Sequence, residues 1–142
     1  MKKLRVLFIC IHNSARSQMA EAFLNTLGGE RFEAQSAGLE AGTLNPVVVD
    51  VMKDVGIDIS ANKTKQVMDF YKRGEHFDYV IAVCDAASKE RCPIFPGAKQ
   101  MLHWAFPDPS ALSGSAEEKR AETRKIRDMI KTAVEEFIRS VG

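Results

Sequence analysis

The chain has 142 residues, with 20 Lys and Arg against 19 Asp and Glu and a formal net charge of +1. That length favours one domain spanning residues 1–142 around a single substantial core. So even a charge balance argues against a nucleic-acid-binding surface, and no stretch of the sequence approaches the roughly 18 apolar residues of a membrane span.

In chain order, Met1-Lys2-Lys3-Leu4-Arg5 before Val6-Leu7-Phe8-Ile9 has the outline of a signal peptide. The apolar run is too short for one and soon meets His12, Asn13 and Arg16, so a cytoplasmic location is expected. Leu4 to Cys10 reads as a strand buried on both faces, the kind that parallel sheets use. Ser17 to Leu27 reads as a helix with an apolar stripe of Met19, Phe23 and Leu27 beside Ala20 and Leu24, closed by Gly28-Gly29. Phe32 to Ala37 is a second strand. Pro46 in a first turn, Val47 to Val55 and the stop Gly56 make a second helix. A short helix is expected over Lys65 to Lys72, and a third strand over Phe77 to Val83, ending at Cys84. Residues 85 to 98 are irregular, and Gln100 to His103 is a short fourth strand. After Pro107-Asp108-Pro109, Ser115 and Glu118 have capping-box spacing for a long helix whose core face carries Ile126, Met129, Ile130, Val134, Phe137, Ile138 and Val141. Strands alternating with helices imply an α/β fold with a parallel sheet. Ligands of such sheets bind at the carboxyl ends of the strands, where Cys10 and Cys84 both lie.

The run from Cys10 to Arg16 goes straight from a buried strand into a helix. Such a loop points successive backbone N–H groups of Ile11, His12, Asn13, Ser14, Ala15 and Arg16 inward as an anion nest, and the helix dipole adds to it. Arg16 offers a fork of donors matched to two oxyanion oxygens. Asn13 suits a left-handed turn and its amide can brace the loop. The amides, Arg16 and a hydrogen bond from Ser17 would all favour the Cys10 thiolate, the nucleophilic form. Three cysteines is an odd count, whereas a disulfide framework favours an even one.

The run Cys10-Ile11-His12-Asn13-Ser14-Ala15-Arg16-Ser17-Gln18-Met19-Ala20-Glu21-Ala22 resembles the signature of the low-molecular-weight tyrosine phosphatase family, and within it the arsenate reductase branch. The likeness continues through Ser36-Ala37-Gly38, Gly56-Ile57-Asp58-Ile59-Ser60, Cys84-Asp85 and His103-Trp104-Ala105-Phe106-Pro107-Asp108-Pro109. It implies a four-stranded parallel sheet flanked by helices on both faces. It also implies a thiol relay. Cys10 attacks arsenate, Cys84 attacks the Cys10 sulfur and releases arsenite, and Cys92 attacks Cys84 to leave a Cys84–Cys92 disulfide. A dithiol partner then reduces that bridge: thioredoxin is expected, with glutathione and glutaredoxin as the alternative. Phosphate or sulfate would mimic the substrate. Protein thiols supply the electrons, so no metal or organic cofactor is expected. On a helix Cys84 and Cys92 would lie about 12 Å apart, so bridging them needs a looped or refolded segment. Asp108 on its own reads as turn chemistry. The resemblance makes it the general acid that protonates the leaving oxygen.

This chain departs from many relatives in having Ile11-His12 for a Thr-Gly or Leu-Gly pair and Ala15 where several carry Cys. Some relatives hold potassium through residues matching Asn13, Glu21, Ser36 and a later Asp. Here that stretch is Thr64-Lys65-Gln66, and the Lys65 ammonium is expected in the cation's place, with no metal site. A phosphotyrosine phosphatase is the first alternative. Against it, Ser110-Ala111 follow the Asp-Pro where aromatic residues would flank a phosphotyrosine ring, and Cys84 and Cys92 would have no task. A non-catalytic oxyanion or thiol-redox sensor is the second. A monomer is expected, with no nucleic-acid or membrane partner.

Overall fold

The structure is a computed structural model and describes residues 3–84, 95 and 98–141. Strands β1 (Leu4–Cys10), β2 (Phe32–Gly38), β3 (Phe77–Ala82) and β4 (Ala98–His103) form one sheet in the order β2-β1-β3-β4. Every pairing is parallel. The expected four-stranded parallel sheet is therefore the one observed. Register brings Cys10 opposite Gly38 and Ile9 opposite Ala82, so the carboxyl ends of β2, β1 and β3 finish together. After β2 the chain crosses to the other side of β1, which opens a crevice at that end.

Side chains alternate across β1 as strand geometry requires. Val6, Phe8 and Cys10 enter one core cluster and Leu7 and Ile9 the other. The first cluster lies under α1 (Arg16–Gly28), α2 (Pro46–Lys53) and α4 (Ala116–Val141). The second lies under α3 (Val67–Lys72), through Val67 and Phe70. Helices thus cover both faces, which is why the central strand is wholly apolar from Val6 to Ile9. Phe95 closes the α3 face, with its ring 5.5 Å from Phe77 and 6.4 Å from Tyr71. No helix among the described residues is long and apolar enough to cross a membrane.

Several sequence expectations need correction. Leu27 and Met129 are 44% and 47% exposed. On α1 Met19, Ala20, Phe23 and Leu24 are buried as expected, and Gly28 rather than Leu27 continues the buried face. Gly28 leaves room for Phe32 and Ile138, which a Cβ would approach to 3.0 and 3.1 Å. On α4 the buried row is Ile126, Ile130, Val134 and Phe137, and Met129 lies beside it. Gly29 closes α1 as its C-cap, with φ −60°. Helix α2 stops at Lys53, leaving Val55 exposed before Gly56 turns the chain at φ +79°. Helix α3 begins at Val67 rather than Lys65, because Lys65 and Gln66 run beside β2. The Gly38 N–H donates to the Lys65 carbonyl at 2.8 Å, and Gly38 and Gln66 form a bridge. Strand β4 starts two residues early, at Ala98. The capping box forms: Glu118 N–H donates to Ser115 Oγ at 3.1 Å and Ser115 N–H to Glu118 Oε1 at 3.2 Å. The irregular stretch expected over 85–98 lies outside the described residues apart from Phe95 and Ala98.

Candidate active site

The loop after β1 has its carbonyls turned outward and bonded there. Those of Cys10, Ile11, His12 and Ser14 accept from the N–H groups of Leu39, Glu40, Gly42 and Asn45 at 2.8 to 3.0 Å, and that of Asn13 accepts from Gln18 Nε2 at 3.2 Å. A peptide whose C=O points outward points its N–H the other way, so the amides of this loop line its concave side. Asn13 supplies the left-handed turn at φ 55°. Its N–H donates to Cys10 Sγ at 3.1 Å. Helix α1 starts at once, with no side-chain cap at Ala15 and no acidic residue in its first turn. A helix start without a capping side chain or an acidic residue suits an anion.

Cys10 is a free thiol at the floor of this loop and is 3% exposed. Ser17 Oγ lies 2.9 Å from its sulfur. Arg16 leaves the same helix turn with its guanidinium buried. Nη1 donates to the Phe106 carbonyl at 3.0 Å, and Nη2 lies 3.7 Å from Asp108 Oδ2. Asp108 caps a short 3-10 turn, Pro109–Ala111, by accepting from Ser110 N–H at 2.9 Å. Its other oxygen is thereby turned toward Arg16. The structure thus pairs Cys10 with Ser17 and Arg16 with Asp108, and the adjacent helix residues Arg16 and Ser17 join the two pairs. His12 is at the rim, half exposed, with Nδ1 3.7 Å from Glu40 Oε2.

Cys84 is not part of that constellation here. It is buried in the cluster on the α3 face, and Cys10 belongs to the other. It is disulfide-bonded, while the Cys10 thiol is free. His103 Nε2 donates to the Cys84 carbonyl at 2.8 Å and lies 4.0 Å from its sulfur. The assignment of Cys92 lies outside the described residues.

Of the residues that match a potassium site, Asn13 and Glu21 are engaged by the protein itself. Asn13 Oδ1 accepts from Lys65 N–H at 2.9 Å and from Gln18 Nε2 at 3.1 Å, and Glu21 Oε1 accepts from Lys65 Nζ at 3.2 Å. Among the described residues Ser36 Oγ is the only buried side-chain N or O atom without a hydrogen-bond partner. A cation would have to displace the ammonium, so the residues present do not fit one.

Sequence reasoning missed three supporting residues. Gln18, fully buried, joins Asn13 to the 62–65 segment. Gly38 lies so close to the loop that a Cβ there would be 2.7 Å from Asn13 N. Asn45 joins the loop after Cys10 to the turn after Asp108: its N–H donates to the Ser14 carbonyl and its Nδ2 to Ser110 Oγ at 3.0 Å. Each acts across a large sequence separation, which no local pattern reports.

The model of the low molecular weight phosphotyrosine protein phosphatase family matches residues 5–142. An arsenate reductase of Bacillus subtilis is 42% identical over 133 residues, covering 93% of each chain. Arsenate reductase 2 of Staphylococcus epidermidis is 40% identical over 137 residues, covering 96% of this chain and 98% of its own. A solved structure of an arsenate reductase in the phosphate-binding state superposes with a TM-score of 0.78 at 31% identity, covering 98% of this chain and 99% of its own. With a signature loop, a sheet order and a whole-length match in agreement, this chain belongs to the low molecular weight phosphotyrosine protein phosphatase family.

Proposed function

We propose that the protein reduces arsenate to arsenite by a relay of its own thiols. The Cys10 thiolate attacks arsenic, an oxygen protonated by Asp108 leaves as water, and a Cys10–arsenic bond remains. Arg16 and the loop amides hold the remaining oxygens. The Cys84 thiolate then attacks the Cys10 sulfur. The sulfur–arsenic bond breaks with its electron pair going to arsenic, which leaves as arsenite, and a Cys10–Cys84 disulfide forms. Cys92 attacks Cys84 and expels the Cys10 thiolate. A dithiol partner, thioredoxin before glutaredoxin, supplies two electrons to the Cys84–Cys92 bridge.

The observation that carries this reading is the pairing of a free, donor-surrounded Cys10 with an oxidised Cys84. A phosphatase needs the first and has no use for the second. Cys84 must still cross from the α3 cluster to reach Cys10, so the relay requires local rearrangement around it. Phosphate, with the same tetrahedral shape and charge, competes for the cradle, and a weak phosphatase activity is compatible with the same loop. We further infer a single domain over residues 1–142, acting as a cytoplasmic monomer.

The test follows NADPH oxidation with arsenate, thioredoxin and thioredoxin reductase. Wild type should turn over repeatedly, and Cys10→Ser, Cys84→Ser and Cys92→Ser should each lose multiple turnover. Full turnover in Cys92→Ser removes the third step. Phosphotyrosine hydrolysis without arsenate turnover in wild type replaces the reading with the phosphatase one.

A further inference from the structure

We propose that Gln18 is a positioning residue that fixes the direction of hydrogen bonding through Asn13 and Ser17 onto the Cys10 sulfur. The proposal rests on the reading of Cys10 as the nucleophile.

The argument is one of donors and acceptors. The end of Gln18 that faces the loop meets the Asn13 carbonyl at 3.2 Å, the Lys63 carbonyl at 3.2 Å and the Asn13 side chain at 3.1 Å. Backbone carbonyls only accept, so that end is the NH₂. The opposite end, Oε1, accepts from Asn62 Nδ2 at 3.1 Å. The Asn13 atom facing Gln18 must then be its oxygen, and the Lys65 N–H at 2.9 Å requires the same. Asn13 Nδ2 is therefore turned to Ser17 Oγ, to which it donates at 2.8 Å. With that bond accepted, the single Ser17 proton is free to point at Cys10 Sγ, 2.9 Å away. Asn13 N–H arrives at the sulfur from the loop side at 3.1 Å. Two donors converge on the sulfur, an arrangement that suits a thiolate and leaves a thiol proton badly placed. Asn13, Ser17 and Gln18 are all fully buried, so water does not scramble the order. A flipped Asn13 amide would offer Ser17 an acceptor and draw its proton away from the sulfur.

The experiment reads Cys10 directly. In the Cys84→Ser/Cys92→Ser background Cys10 is the sole cysteine, and its alkylation by iodoacetamide is followed by intact mass between about pH 5 and pH 10. Gln18→Met keeps the volume and removes the donors. The expected result is an alkylation rate about tenfold lower at pH 6 and unchanged at pH 10, the pattern of a lost thiolate preference. In a Ser17→Ala background the same substitution should change the rate at pH 6 by less than about twofold, because the path through Ser17 is already cut. An unaltered pH profile with a lowered unfolding temperature would show a merely structural residue and overturn the proposal. So would an equal effect with and without Ser17. If Gln18→Met does not fold, Asn62→Ala, at an exposed position, should shift the profile the same way by about threefold, and an unchanged profile there counts against the lock. If Gln18→Met slows alkylation at pH 6 as expected but wild type does not reduce arsenate, the functional reading is overturned while the lock stands.

Discussion

Lys65 does two jobs with two different groups. Its ammonium lies 3.2 Å from Glu21 Oε1, and its backbone N–H holds the Asn13 side-chain oxygen at 2.9 Å. Glu21 is 8% exposed, so its carboxylate needs a positive partner. The covalently attached ammonium is always present, and a dissolved cation has nothing to add. The Michaelis constant for arsenate should be the same in potassium and sodium salts at equal ionic strength, and a severalfold fall with potassium would contradict this. Lys65→Ala should lower stability by about 1 to 3 kcal/mol in urea unfolding. Only the ammonium's role was legible in the sequence. Cys10, Arg16 and Ser17 were readable because they lie within one short loop whose spacing is itself the signal. Asp108 needed the family resemblance, because a Pro-Asp-Pro turn has an adequate local explanation. Gln18 was invisible, since a polar residue near the start of a helix looks like surface until the 62–65 segment is seen lying over it.

Strand β2 shows how an element can matter through the absence of a side chain. Its last residue, Gly38, pairs with Cys10. A Cβ there would stand 2.7 Å from Asn13 N, 2.7 Å from Glu40 O and 2.8 Å from His12 C. All three are backbone atoms, so no rotamer change relieves the clash. Gly38→Ala must push the nucleophile loop away from the strand. It should cost about 1 to 3 kcal/mol and lower kcat/KM for arsenate more than its stability loss at assay temperature explains. Unaltered kcat/KM in folded Gly38→Ala protein would mean that the loop tolerates the shift. The elements themselves were largely legible, because the apolar periods of β1, α1 and α4 are long. Their ends were less so. The start of α3 was misjudged because Lys65 and Gln66 are claimed by β2 and Asn13, a tertiary demand that outweighs local helix preference. Met19 and Phe23 are buried and Leu27 of the same stripe is not, because apolar spacing does not say where along a helix its neighbours stop; Met129 was misplaced because it lies beside the buried row Ile126, Ile130, Val134 and Phe137.

Over the whole molecule, chemistry and stitching occupy opposite ends of the sheet. The carboxyl ends of the strands hold Cys10 and the acid loop, and the amino ends are tied by charge. Arg5 on β1 reaches Glu33 on β2 at 3.2 Å, the His76 carbonyl at 2.8 Å and Glu75 at 2.7 Å, and its backbone N–H donates to Asp78 on β3 at 2.8 Å. Lys99 on β4 lies 3.4 Å from Asp78. All four strands thus meet in one network, with the Arg5 guanidinium 4.5 Å over the Phe77 ring. Glu75 also accepts from Arg73 Nε at 2.8 Å. Burial opposes its ionisation, but the hydrogen bonds and charges of Arg5 and Arg73 outweigh that and hold its carboxyl below the ordinary carboxylate range. A carboxyl depressed on folding contributes stability in full above its unfolded value, and loses it as the pH falls through the folded one. Glu75→Gln should therefore lower the urea midpoint clearly at pH 7, and the gap to wild type should close as the pH drops below about 4.5. A gap that stays constant into acid would mean the carboxylate charge is not what ties the strands. Because this end of the sheet is remote from the nucleophile loop, kcat/KM for arsenate at pH 7 should be unchanged in the same variant, and a coupled loss would refute the separation of the two ends.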